Sequence, residues 1–490
     1  MVRVCLAVVL FACVSVPAQA WAAGPLETAF LEPSGDLATS ERMVSAGATK
    51  VRIGASWAAI ASTTPAAPTD PNDAAYNWTH LDQRVQTASL AGLEPMLSLG
   101  GAPPWGRGPT VGQPGTWPNP AMLAQFARAA ATRYSGAFDP DGDGVPNFPE
   151  VRYWQVWNEP NLRLWGLSPQ FVGTRLISPG KYRTMVNHVS GAVRAANADA
   201  VVIAGGTAPF GHFRRGKWIA PGPLRFMRDM LCVNKNLTIR KSCPKSSFTV
   251  WSHHPYTEGA PTRHAKHPDN VSIGDLPEMQ RVLRAAIRGG KIVSAAGPVR
   301  FWVTEFSWDT NLPDPRAVPT KIHARWTSEA LYRMWKAGVN LVTWWRLRDD
   351  PLSVSMYQSG LYYCGIPSRA DESTCQSAGI VNDTAKPSLQ AFRFPFVAFP
   401  GRNRVITWGK LPPGGTGPVS LQRLSSGVWR KVGAASPNGF RIFAKTLPRS
   451  WKTGLMRARL PDGTVSRPFS LVAPRTRSYY PFGCGGNVRC

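Results

Sequence analysis

Carboxylates are scarce in this chain: 29 Asp and Glu stand against 56 Lys and Arg among 490 residues, a formal charge of +27. Only 17% of the residues are charged, so the imbalance reflects missing acids rather than basic blocks. Such a surface is either simply solvated or attracts anions such as an anionic cell-wall polymer or an acidic glycan. No RNA-binding or helix-turn-helix signature accompanies the charge, so nucleic acid is not an expected partner. Long apolar runs are also missing beyond the first residues, which excludes a membrane span of roughly 18 apolar residues. GxSxG, HExxH and Walker loops do not occur, leaving serine, zinc and nucleotide chemistry without sequence support, and the absence of CxxC makes metal binding by the cysteines the weaker reading.

The chain begins with an export signal. Arg3 precedes a mostly apolar run over residues 4–16, and small residues come after it at Ala18, Ala20, Ala22 and Ala23. Residues 1–23 therefore read as a cleaved signal peptide, and the mature chain as secreted. Cleavage removes Arg3, Cys5 and Cys13, leaving six cysteines in three local pairs: Cys232 with Cys243, Cys364 with Cys375, and Cys484 with Cys490. This is the pattern of short disulfide loops in an oxidising compartment, although other connectivities stay open.

The stretch that organises the mature chain is residues 151–162, VRYWQVWNEPNL. Residues 151–157 have almost no polar face and read as a strand buried on both sides. Pro160 stops the strand, because it lacks an N–H and restricts Glu159, so a carboxylate is left at an apolar strand's C-terminal tip. About 145 residues further on, residues 299–310 (VRFWVTEFSWDT) repeat the pattern with Glu305. A lone glutamate at a strand end is usually a solvated loop residue. Two of them suggest a pair facing one pocket, as in cleavage of a glycosidic bond by two flanking carboxyl groups.

WNEP at residues 157–160 with TEFSW at residues 304–308 resembles the clan A retaining glycoside hydrolases, nearest to family 39 and the cellulase-like family 5. That resemblance implies a (β/α)8 TIM barrel whose fourth and seventh strands end in the acid/base, here Glu159, and the nucleophile, here Glu305. It also implies that Arg52 hydrogen-bonds Glu305 and that Asn158 bonds the substrate 2-hydroxyl. Tyr256 would donate to the nucleophile, with His253 or His254 lining the subsite. No organic cofactor is needed for this chemistry, and the substrate would be a poly- or oligosaccharide.

The rest of the pattern agrees with a barrel over residues 24–398. Strands are expected at residues 27–32, 50–57, 93–99, 151–157, 200–204, 248–252, 299–305 and 339–346, with helices between them. Trp57 and Trp308, at the exits of the second and seventh strands, are expected to line the pocket. Trp344 and Trp345 end the eighth; by alternation one faces the sugar and the other the core. Residues 139–150, DPDGDGVPNFPE, match the calcium-loop spacing, with Asp139, Asp141, Asp143, Val145, Asn147 and Glu150 as ligands and Gly144 at the turn. A strand comes next instead of a helix, so this calcium would be structural. From residue 399 short strands between Gly and Pro clusters indicate a small β-sandwich resembling Ig-like or fibronectin-like modules, which would bind carbohydrate or cell wall, or brace the barrel. Two further readings stay open: a non-catalytic carbohydrate-binding barrel, and a transglycosylase acting on cell-surface glycan.

Overall fold

The computed structural model describes residues 24–31, 35–108, 116–163, 167–311, 317–351, 357–365, 375, 380–476, 478–479 and 481. Eight parallel strands close a barrel: β1 Glu27–Leu31, β2 Lys50–Ser56, β3 Glu94–Gly100, β4 Tyr153–Val156, β5 Val201–Thr207, β6 Val250–His253, β7 Arg300–Phe306 and β8 Val339–Trp344. Each pairs with its sequence neighbour, and β8 returns to β1. Helices α1 Leu37–Ser45, α2 Thr79–Leu90, α3 Pro120–Arg133, α4 Ser178–Ala196, α5 Pro223–Met230, α6 Leu276–Arg288 and α7 Thr320–Lys336 come after β1 to β7, and α8 Pro387–Arg393 after β8.

Local chemistry sets these elements. In α3, the Asn119 side chain accepts from the Ala121 and Met122 N–H groups, and Pro120 occupies the first turn, where its missing N–H costs nothing. On β2, Val51, Ile53 and Ala55 join the apolar layer between strands and helices, and Arg52, also buried, is turned the other way. The polar face of that strand is thus the barrel interior, where neighbouring strands supply its partners. Lys50 closes the floor below, bound to Glu27 at 3.0 Å and Glu94 at 2.5 Å. Above the floor, Ala29, Met96, Tyr153, Ile203, Val250, Trp302 and Leu341 fill the barrel as a packed plug.

Two antiparallel sheets lie beyond α8, of three strands and four strands. The sequence predicts a short final helix over residues 387–396; it stops at Arg393, and Phe396 opens the strand Phe396–Pro400 instead, paired with Gly409 and crossing the anticipated boundary at residue 398. The sheets lie against α7: Trp408 contacts Tyr332 and Trp335 with ring centroids 5.4 and 5.3 Å apart, and Arg325 stacks on Phe469. Cys232–Cys243 and Cys364–Cys375 are bonded as their spacing anticipates. Residues 1–23, Cys484 and Cys490 lie outside the described residues. Among the described residues, no helix is long and apolar enough to cross a membrane.

Candidate active site

Arg52 is the hub of the site. One guanidinium nitrogen donates to Glu305 Oε2 at 2.7 Å and to the Thr304 carbonyl at 3.3 Å; the other reaches Asn158 Oδ1 at 2.6 Å and Ser98 Oγ at 3.2 Å. The planar fork thereby joins β2, β3, β4 and β7 at one level, which an ammonium on a flexible stem would do less rigidly. Tyr256 donates its hydroxyl to the other Glu305 oxygen, Oε1, at 2.9 Å. His254 is fully buried, with Nε2 on Thr304 Oγ1 at 3.1 Å and Nδ1 3.3 Å from Glu159 Oε1 and 3.9 Å from Glu305 Oε2. A carboxylate oxygen of Glu159, a ring nitrogen of His254 and a carboxylate oxygen of Glu305 all lie within 4.8 Å of one another.

The electrostatics separate donor from acceptor. Burial alone pushes the Glu305 carboxyl up, but the charges of His254 and Arg52 and the hydrogen bonds from Tyr256 and Arg52 outweigh it and hold the pKa below the ordinary carboxylate value. Burial, then the Glu305 charge, pushes the Tyr256 phenol well above its usual value, so it remains a donor.

The strand that leads to Glu159 ends in an unusual backbone. Trp157 and Glu159 have φ of 68° and 44°, a left-handed region that non-glycine residues seldom occupy. The Glu159 N–H donates to the Gly206 carbonyl, and Gly206 itself has φ 55° with the Gln155 amide packed where a Cβ would stand. A tip so determined by its neighbours holds one carboxylate aim.

Trp57 and Trp308, both expected in the pocket, belong to the core instead, and of the alternating pairs Trp344 and Trp345, His253 and His254, one member each lies in the core as expected. Trp57 is buried between Trp105 and Phe126. Trp308 donates its indole N–H to Thr257 O and Trp344 to Ser359 O; both are fully buried. His253 alternates away from His254: Nδ1 meets Thr207 Oγ1 and Nε2 meets Val271 O, and burial drops its pKa to about 3. Trp345 is the half-exposed member of the tryptophan pair, edge-on to Tyr357 with centroids 4.6 Å apart.

At the other loop, Asp139, Asp141 and Asp143 each place a carboxylate oxygen within 4.8 Å of the others. Asn147 Nδ2 donates to Asp141 Oδ2, and the exposed Val145 places its N–H on Asp143 Oδ1. Glu150 departs from its expected ligand position. Val151 is already bonded to the end of α3, and the Glu150 carboxylate turns to Asn197 Nδ2 at 2.8 Å.

Sequence reasoning missed Ser98, Thr304 and Asn161. Ser98 and Thr304 sit on their strands at the level of Arg52 and His254, a signal available only once the register between strands is known. Asn161 is fully buried two residues after Glu159, and the NEPN run was its one hint.

No family model matches the chain, and no curated protein does. Among solved structures it is similar to a family 39 glycoside hydrolase from the gut symbiont Bacteroides cellulosilyticus, at 16% identity and TM-score 0.49, covering 86% of this chain and 79% of that one. It is also similar to a monomeric beta-xylosidase from Caulobacter crescentus, at 17% identity and TM-score 0.47, covering 82% and 84%. A third similar structure is a GH39 enzyme from Xanthomonas axonopodis pv. citri, at 14% identity and TM-score 0.45, covering 87% and 92%. At these identities and scores, none assigns an activity to this chain.

Proposed function

We propose that the chain is a secreted glycoside hydrolase that cleaves an O-glycosidic bond of a poly- or oligosaccharide with retention of configuration. The carrying observation is the pair Glu159 and Glu305, whose nearest oxygens lie within 4.8 Å across His254, with Glu305 held by Arg52 and Tyr256. Retaining enzymes keep their carboxyl groups about 5–5.5 Å apart; inverting ones need roughly 6.5–9.5 Å to admit a water. Glu305 attacks the anomeric carbon while Glu159 gives its proton to the departing oxygen. Glu159 then takes a proton from water, which displaces Glu305 and restores both groups. Asn158 fits the role of 2-hydroxyl donor: Arg52 can only donate, so Asn158 Oδ1 is the acceptor there and Nδ2 is directed elsewhere. Trp345 offers its ring to the apolar face of a sugar.

Export, a β-sandwich arrangement of the tail sheets and a structural calcium ion held by the three aspartates belong to the same reading. Two disulfides support the first, and the Asp139, Asp141 and Asp143 group supports the last.

Covalent trapping tests the chemistry. Incubation with a panel of 2-deoxy-2-fluoro glycosyl fluorides should add one sugar to the intact mass of the wild-type chain and none to Glu305→Gln. An adduct that survives Glu305→Gln would remove the assignment, and no adduct from any sugar would favour a binding protein.

A further inference from the structure

The loop after β5 carries a feature the two-glutamate chemistry does not use. His212–Arg214 and Lys217–Ala220 pair as an antiparallel hairpin. Arg215 and Gly216 turn it, with φ of 48° and 76°, the paired positive angles of a tight two-residue connection. His212, Phe213, Arg214, Arg215 and Lys217 are all exposed. No carboxylate pairs with Arg214, Arg215 or Lys217 among the described residues, in a chain with only 29 Asp and Glu. Two aromatic rings accompany the charges. Phe213 is 55% exposed and meets Trp218 at 5.2 Å, and Trp218 in turn packs edge-on to His267 at 4.7 Å.

The base of this hairpin is bolted to the acid/base loop. Asn161, two residues beyond Glu159, accepts from the Ala208 N–H at 2.8 Å and donates Nδ2 to the carbonyls of Phe210 at 3.1 Å and Pro221 at 3.3 Å. One buried amide thus ties both ends of the excursion to the segment that carries Glu159. The loop after β6 adds two bonds, Gly211 N–H to Asn270 Oδ1 and Val271 N–H to the Pro209 carbonyl. The general acid protonates the oxygen of the departing sugar, so a structure rooted at the acid flanks the leaving-group side of the bond.

We propose that this hairpin is a leaving-group-side subsite for a polysaccharide bearing regularly spaced anionic groups, with Arg214, Arg215 and Lys217 meeting carboxylates or sulfates and Phe213 and Trp218 stacking on sugar rings. Its place at the scissile bond rests on the glycoside hydrolase reading. Exposed cations bind a polyanion through forces that salt screens over about 10 Å at 0.1 M, so the interaction weakens as salt rises.

Affinity electrophoresis of the full Glu305→Gln chain, which retains the hairpin without turnover, compares polygalacturonate, dextran sulfate and neutral dextran. Retardation by at least one polyanion and not by neutral dextran is expected, and the stronger of the two identifies carboxylate or sulfate as the preferred group. Arg214→Ala/Arg215→Ala should weaken it at least tenfold with an unchanged melting temperature. The matched pair Arg430→Ala/Lys431→Ala, exposed on the tail, should leave it within twofold. Equal losses in the two variants would reduce the effect to net charge and overturn the proposal, as would no binding to either polyanion. Tighter binding of a single-stranded DNA oligonucleotide at the same salt would overturn it in favour of nucleic acid. The position is read separately: an oligosaccharide bearing the preferred anion, oligogalacturonate for carboxylate or a sulfated dextran oligomer for sulfate, should reactivate the trapped wild-type adduct faster than a neutral oligosaccharide does, and equal reactivation refutes the leaving-group placement. Failure to form any adduct counts against the hydrolase reading, while the electrophoresis still decides the polyanion site.

Discussion

Replacing Tyr256 by phenylalanine isolates the tuning of Glu305, the proposed nucleophile. The ring is 5% exposed and keeps its volume in the variant, so packing is nearly conserved; what is lost is one O–H donor at 2.9 Å from Glu305 Oε1. A hydrogen bond to a charged group contributes about 1.5–3 kcal/mol. Arg52 still holds Oε2 in the variant. The folded environment lowers the Glu305 pKa, and Tyr256 is one of the causes, so its removal raises that pKa. Attack requires the ionised carboxylate; activity therefore falls as pH drops through this pKa, and the acidic limb of kcat/KM should move upward. At about 1.4 kcal/mol per unit, the shift is roughly one to two pH units. The assay is kcat/KM against pH on the sugar named by trapping, for wild type and variant, with melting temperatures alongside. An acidic limb that stays in place, or moves to lower pH, in a variant of unchanged melting temperature would refute the assignment of Tyr256 and Glu305.

Three other perturbations have defined outcomes. Lys386 is fully buried with Nζ 2.5 Å from Asp349 Oδ1, 2.8 Å from Thr310 Oγ1 and 3.0 Å from Gln358 O; Lys386→Met should cost about 3–5 kcal/mol by stranding a buried charge. Burial raises the Asp349 carboxyl to about 6 even with its partner, so in the variant it escapes by protonation, and the loss measured by denaturant should be smaller at low pH than above that value. Trp345→Ala should raise KM for an oligosaccharide about tenfold, for roughly 1.4 kcal/mol of lost stacking, and hardly touch kcat; an unchanged KM would place the sugar elsewhere. With calcium, the wild-type chain should melt higher than with chelator, and Asp139→Ala/Asp141→Ala should abolish the difference; identical melting curves would remove the ion.

The glutamates were legible because each ends a mostly aromatic and β-branched run, and a carboxylate there contradicts its surroundings. Arg52 was legible only through the resemblance, since on β2 alone it reads as a surface residue. Its partners lie 46, 106 and 253 positions away, and no local pattern encodes such separations. Aromatic residues at strand ends misled most. Trp57 and Trp308 have the composition of sugar platforms, yet neighbouring loops close over them, and their indoles are spent on core contacts and a carbonyl; of the Trp344 and Trp345 pair, alternation put one in the core as expected. Glu150 kept the calcium-loop spacing but not the geometry, because the strand start after it takes a different path from a helix.

The sequence by itself determined the eight strands and their helices, the two glutamates and the local disulfide pairs, because these depend on short-range periodicity, chain stiffness and loop closure. The tertiary structure decided which face of each strand became barrel interior, which tryptophan met solvent, and that a basic hairpin is tied by Asn161 to the loop carrying Glu159. Those outcomes depend on register and packing between segments far apart in the chain, where alternatives of equal local quality differ only in what they meet.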